Sequence, residues 1–126
     1  IPHMQKRVSG NILNITGATQ QAVPLHTPGS ACNAAVRMLS KELSMELGPM
    51  NIQVNSLGPG YIQTARADQL LKANAETQGI SEAEVLSGLV STVADIADAV
   101  CFLVSERATY VNGPAIVIDG SESLVI

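Results

Sequence analysis

The residues able to hold a ligand or move a proton gather in two stretches of this 126-residue chain. Asn14-Ile15-Thr16-Gly17-Ala18 follows one short apolar run, and Gly58-Pro59-Gly60-Tyr61-Ile62-Gln63-Thr64 follows another. Glycine and proline at such places let a flat ligand approach the backbone and leave amide groups to bond it. Pro-Gly after a strand is also an ordinary turn. Thr16 brings a hydroxyl to the first stretch and Tyr61 a phenol to the second. His26, in a loop between them, carries a ring that titrates near neutrality. Each has a plain structural reading beside the chemical one: a strand-end threonine bonds backbone, and a loop histidine sits in water. Cys32 and Cys101 lack metal-ligand spacing and read as buried free thiols in a reducing cytosol, so no metal site is expected.

Regular elements must position these groups. Ile1 to Lys6 reads as the tail of a helix, with Lys6 and Arg7 at its negative end and Ser9-Gly10 as its stop. A domain seldom opens on such a tail, which points to a piece of a longer protein. Ile12 to Ile15, bounded by Gly10 and Gly17, is a buried strand, and Thr19 to Pro28 is a loop. The clearest helix runs from Ser30 to about Leu47. Val36, Leu39, Leu43 and Leu47 recur along it at helical spacing, while Arg37, Lys41 and Glu42 face elsewhere. Ala31, Ala34 and Ala35 let another backbone come close, and Gly48-Pro49 ends the helix.

Ile52, Val54 and Leu57 mark a second strand that Gly58-Pro59-Gly60 breaks. Ala65 to Ala75 and Ser81 to Val90 read as short helices, the second capped through Ser81 to Glu84. Val93 to Ser105 carries Ile96, Val100, Leu103 and Val104 on one side and Asp95 near its positive end. Asn112-Gly113 makes a turn, and Ala115 to Ile118 is a last strand ending at Asp119-Gly120. This alternation predicts an α/β fold: part of a doubly wound, Rossmann-like parallel sheet with flanking helices. In such sheets ligands sit beyond the carboxyl ends of the strands, where the two chemistry-bearing stretches fall.

Composition narrows the function classes. Hydrophobic residues make up 46% of the chain, charged residues 14% and aromatic residues 2%. That is a globular chain with an aliphatic, alanine-rich core suited to a parallel sheet. The net charge of −4 and the lack of a basic cluster beyond Lys6-Arg7 argue against nucleic acid as a partner. No apolar run approaches the roughly 18 residues of a membrane span, so no membrane partner is expected. A single domain in the cytoplasm is the resulting expectation.

The pieces GNILNIT, LSKELSMELGP, IQVNSLGPGYIQT, DIADAVCFLVSE and YVNGPAIVIDG, in this order, resemble the carboxyl-terminal half of the short-chain dehydrogenase/reductase family. The resemblance runs from about Gly10 to Gly120. It implies NAD- or NADP-dependent hydride transfer on a carbonyl or alcohol substrate. It makes Asn55 a structural asparagine and Pro59 to Thr64 the loop that contacts the nicotinamide carboxamide and the cofactor's phosphates. Within that loop Ile62 offers backbone groups and Thr64 its hydroxyl, while Tyr61 packs beside the nicotinamide. Residues 65–90 become the variable substrate lid, and Tyr110 and Asp119 braces for the last strand. Cofactor contacts are therefore expected from Asn14, Ile15, Thr16, Pro59, Gly60, Tyr61, Ile62 and Thr64. The helix over 30–47 is expected to pair with its copy in a homo-oligomer.

Where the family carries its catalytic Ser, Tyr and Lys, the resemblance places Gly17, Gly29 and Asn33. A phenol titrates near 10 and needs a neighbouring cation to give and take a proton at neutral pH. Glycine has no side chain and asparagine no charge, so no catalytic residue is assigned. Thr16, Tyr61 and His26 stand as possible substitutes. The resemblance finds no counterpart of the family's Gly-rich adenosine-binding half in this chain. Two readings follow: an oxidoreductase with altered or lost proton transfer, or a catalytically inactive scaffold or binding subunit.

Overall fold

The computed structural model describes residues 1–17, 27–86 and 90–123. Its sheet has three parallel strands in the order β1 (Gly10–Ile15), β2 (Ile52–Pro59), β3 (Ala115–Ile118). Gly10 to Ile15 register with Ile52 to Leu57, and Ser56 to Pro59 with Ala115 to Ile118. Parallel strands need crossovers, and helices supply them here. Helix α2 (Thr27–Leu47) joins β1 to β2, while α3 (Ala65–Gln78), α4 (Glu82–Val85) and α5 (Val93–Leu103) lie between β2 and β3. A six-residue helix, α1 (Pro2–Arg7), precedes β1 and ends at Val8 in the left-handed conformation.

Alternation along the strands sorts the core onto two faces. Leu47, Ile52 and Val54 pack with Met4, Ile12, Leu43 and Met50 on the α2 side. Leu57, Ile96 and Leu103 pack with Leu13, Val100, Val111, Ile116 and Ile118 on the α5 side. Ile52, Val54 and Leu57 have no exposed surface at all, which makes β2 the centre of both clusters.

Helix starts follow their side chains. Thr64 caps α3, and Ser81 with Glu84 and Thr92 with Asp95 form reciprocal capping boxes on α4 and α5. Each satisfies amide groups that the first turn leaves without carbonyl partners. The helix expected over 81–90 is shorter than its pattern implied, since α4 closes at Val85. The long helix starts at Thr27, inside the stretch read as loop.

Helix α2 turns Leu43 and Leu47 inward as its periodicity implies, but not Leu39. Ser40 and Ser44 are buried, whereas Leu39 is 50% exposed. Both serine hydroxyls bond back to their own helix, at Val36 O (2.7 Å) and Lys41 O (2.6 Å). Small self-satisfied hydroxyls fit where a leucine would not against the tightly packed β2. Met38 and Met45, 62% and 69% exposed, lie on the outer face with Ala31, Ala34 and Ala35.

Cys32 and Cys101 are exposed rather than buried, because both stand on the outward faces of their helices. Tyr110 is fully exposed and braces nothing among the described residues. The last strand is held instead by two asparagines. Asn55 bonds Val111 O and Gly113 N–H, each at 2.9 Å, and Asn112 bonds Val54 N–H at 2.9 Å and Ser44 O at 3.1 Å. Gly113 has φ of 90°, and a side chain there would meet Ser44 Oγ at 2.5 Å. Among the described residues no helix is long and apolar enough to cross a membrane.

Candidate active site

The loop after β2 is fastened at nearly every polar atom. Gly60 N–H donates to Ile118 O, Tyr61 N–H to Glu122 Oε2 and Gln63 N–H to Ser91 O, all at 2.9 Å. Ser91 returns two bonds to Tyr61 O, from its N–H at 3.1 Å and its hydroxyl at 3.0 Å. A Cβ on Gly60 would lie 2.7 Å from the Asp119 Cα, so glycine alone lets the loop cross the end of β3. Asp119 in turn accepts from Ser121 N–H and from both the N–H and hydroxyl of Ser123. The Ser123 bonds hold its carboxyl below the usual carboxylate range.

One residue of this loop keeps its backbone open. Ile62 forms an isolated parallel bridge with Ser91, a pattern in which the flanking residues carry the bonds. Among the described residues, the N–H and C=O of Ile62 itself have no partner. Beside it lies an apolar hollow of about 350 Å³, lined by Ile15, Pro59, Ile62, Val93, Ala97 and Cys101 among others. Thr64 Oγ1 accepts from Ala67 N–H at 3.2 Å as it caps α3, and its hydroxyl proton stays available to donate.

Tyr61 points away from that hollow. Its hydroxyl donates to Asp68 Oδ1 at 2.8 Å, and its ring lines a cavity of about 180 Å³ under α3 and α4 with Leu70, Leu71, Val85 and Glu122. Partial burial, the hydrogen bond to Asp68 and the charges of Asp68 and Glu82 raise its pKa above 10.0. A phenol that holds its proton this firmly is a poor acid.

The end of β1 is built differently. Asn14 donates to Ser40 Oγ at 2.9 Å, which turns its side chain to α2. Ile15 is 56% exposed and borders the hollow. Thr16 is buried and extends the ladder, its N–H reaching Leu57 O at 2.8 Å and its hydroxyl the same oxygen at 3.4 Å. Gly17 is half-buried, and a Cβ on Gly29 would meet none of the described residues within 4 Å. Asn33 is half-buried on α2. His26 lies outside the described residues.

Arg37 is the residue that sequence reasoning put on the wrong side. Its Nε–H donates to Thr16 Oγ1 at 3.4 Å, and its Nη2 donates to the carbonyl of Gly17. A cation therefore reaches the carboxyl end of β1. The signal was present in the spacing: Asn33, Arg37, Ser40 and Ser44 share one face of a helix. Apolar periodicity drew attention to the adjacent stripe of Val36, Leu43 and Leu47.

A family model described as enoyl-(acyl carrier protein) reductase matches residues 1–121. The chain belongs to the short-chain dehydrogenase/reductase family. The 2-(R)-hydroxypropyl-CoM dehydrogenase of Xanthobacter autotrophicus is 33% identical over 99% of this chain and 50% of its own length. Among solved structures, the NADPH-dependent reductase YwfH, involved in bacilysin biosynthesis, superposes with a TM-score of 0.88 at 32% identity, covering 98% of this chain and 50% of that one. The L-sorbose reductase of Gluconobacter frateurii, solved with NADPH and L-sorbose, gives 0.85 at 27% identity, covering 99% and 51%. The chain thus spans about half the length of the relatives it matches.

Proposed function

We propose that the whole protein transfers hydride between NAD or NADP and a carbonyl or alcohol substrate, and that this chain supplies the nicotinamide end of the site. The observation that carries the reading is the open N–H and C=O of Ile62 beside an apolar hollow at the carboxyl end of β2. A flat amide-bearing ring needs one donor and one acceptor at an apolar wall, and these residues meet that need. Family membership and the similar structures solved with NADPH support the same cofactor class.

In this reading Pro59, Gly60 and Ile62 hold the nicotinamide, with Ile15 against its face. The hydroxyl proton of Thr64 is directed to the cofactor's phosphates, and Asn14 and Thr16 act by fixing the end of β1 rather than by touching the ligand. The cofactor, when bound, supplies the hydride. Tyr61 latches the loop to α3 and closes one wall of the lid over 65–90, which excludes water. Gly17, Gly29 and Asn33 provide no acid, base or charge, so proton transfer relies on water and turnover is slow. The outward face of α2, with its small and apolar residues, supports the homo-oligomer expected through the helix over 30–47. Two exposed cysteines without a disulfide support a reducing, cytoplasmic setting.

The test is a titration of reduced nicotinamide dinucleotides against the natural full-length protein and its Ile62→Pro variant, read by cofactor fluorescence. Losing one amide donor should weaken binding about two- to tenfold. Full-strength binding by Ile62→Pro would remove the support that Ile62 gives. No binding by the natural protein would sink the oxidoreductase reading and leave a scaffold role.

A further inference from the structure

We infer that Ser91 is the positioning residue of the cofactor loop: its backbone and its hydroxyl together aim the open N–H and C=O of Ile62. The inference rests on the hydride-transfer reading above and adds to that site a residue from outside the loop.

A peptide group is planar and trans, so its C=O and N–H point in opposite directions. Fixing one end of such a plane fixes the other. Tyr61 O and Ile62 N–H belong to one plane, and Ile62 O and Gln63 N–H to the next. Ser91 holds both. Its N–H and hydroxyl donate to Tyr61 O at 3.1 and 3.0 Å, and its carbonyl accepts from Gln63 N–H at 2.9 Å. The N–H and C=O of Ile62 are thereby turned to the side of the loop away from Ser91, as the parallel bridge between the two residues requires. Among the described residues Ile62, and not Ser91, lines the apolar hollow.

Any residue at position 91 offers the two backbone bonds; the third needs a hydroxyl. A carbonyl oxygen has two lone pairs, and Tyr61 O fills both from Ser91. Two donors on that oxygen polarise the peptide and make the N–H at its other end the stronger donor. Ser91 is also firmly placed. Thr92, next in the chain, caps α5 through reciprocal bonds with Asp95, and Ile96 one turn on is buried in the core. Gly60 N–H and Tyr61 N–H are tied to Ile118 and Glu122, so over residues 60–63 only the Ile62 amide is left for a ligand. Its direction is set by α5 before any ligand arrives, which spares binding the cost of ordering it.

The experiment uses the natural full-length protein, titrated with the tighter-binding of NADH and NADPH and with the matching ADP-ribose, which is the same cofactor without its nicotinamide ring. Ser91→Ala should weaken dinucleotide binding about two- to tenfold, the range for one neutral hydrogen bond, and leave ADP-ribose binding unchanged. Ser91→Thr keeps the hydroxyl and should bind the dinucleotide as the natural protein does. Ser91→Val, its isostere without the hydroxyl, should match Ser91→Ala. Threonine and valine suit extended backbone alike, so this pair decides even if Ser91→Ala is too unstable to assay. Equal affinities of Ser91→Thr and Ser91→Val overturn the inference. So does an ADP-ribose loss parallel to the dinucleotide loss, the mark of a merely structural role. Amide exchange separates the inference from the reading beneath it. Gln63 N–H should exchange faster in Ser91→Val than in Ser91→Thr whether or not a cofactor binds, and equal exchange overturns the positioning role. A natural protein that binds no reduced dinucleotide defeats the hydride-transfer reading, and the exchange result then decides on Ser91 alone. Tight dinucleotide binding that no Ser91 variant alters does the reverse.

Discussion

The two strand ends that face the candidate site are made in opposite ways. After β2, the loop is tied through its own backbone and through Ile118, Ser91 and Glu122, and glycine at position 60 is compulsory because the last strand passes directly beneath it. After β1, Gly17 is held from another element by the Arg37 side chain, and no described residue stands within 4 Å of where a Gly29 side chain would lie. The first end is a finished cradle. At the second, the resemblance places Gly17, Gly29 and Asn33 where the family carries its reactive side chains. In the proposed reading cofactor binding and proton transfer rest on different residues at different strand ends, so that either could be lost without the other.

The largest expected effect comes from refilling the emptied end. Combining Gly17→Ser, Gly29→Tyr and Asn33→Lys in the natural full-length protein should raise turnover about a hundred- to ten-thousandfold, the range of general acid-base help. Steady-state rates check it, and cofactor affinity should not change. Unaltered turnover would mean that these three positions are not where the proton moves.

Gly60→Ala attacks the finished end. The added carbon must displace Asp119 backbone at 2.7 Å, and such overpacking costs about 1–3 kcal/mol, read by denaturant unfolding. Gly29→Ala makes the same chemical change where no described residue stands within 4 Å, and it lies inside α2. It should stabilise the protein by about 0.5–1 kcal/mol through reduced chain entropy. If the two substitutions cost the same, the contrast between a crowded end and an open one fails.

The smallest effect concerns the turn that supports the cradle. The carboxyl of Asp119 has a lowered pKa in the folded chain because Ser123 and Ser121 donate to it. A lowered folded value adds stability above the unfolded carboxylate pKa of about 4, and that stability fades as pH falls through the folded value. Asp119→Asn should therefore be the less stable protein near neutral pH, and the two should converge as pH falls through the folded carboxyl value, which gives the variant the shallower acid limb.

Much of this was legible in the residues. Short apolar runs stopped by glycine gave the strands, and Ser81 with Glu84 announced a capping box that the structure contains. Gly58-Pro59-Gly60 marked the loop that became the cradle. The hidden part was whatever depended on a neighbour remote in the chain. Leu39 satisfied helical periodicity and still faces outward, and Cys32 and Cys101 are exposed though their type favours burial. Glu122 gave no sign that its carboxylate would accept from Tyr61, because the partners stand far apart in sequence.

The sequence by itself determined the family, the parallel sheet with its flanking helices, and the place of the two stretches that follow β1 and β2. Those follow from local hydrophobic period, turn residues and caps, which act over a few positions. Only the tertiary structure decided that Ser40 and Ser44 join Leu43 and Leu47 on the inner face of α2 while Leu39 stays outside, and with it the place of Arg37. An amphipathic pattern states that a helix has two sides; the packing partner decides between them. Here the buried serines and an arginine were chosen over a leucine, because β2 leaves little room and the end of β1 presents a carbonyl that a cation can hold.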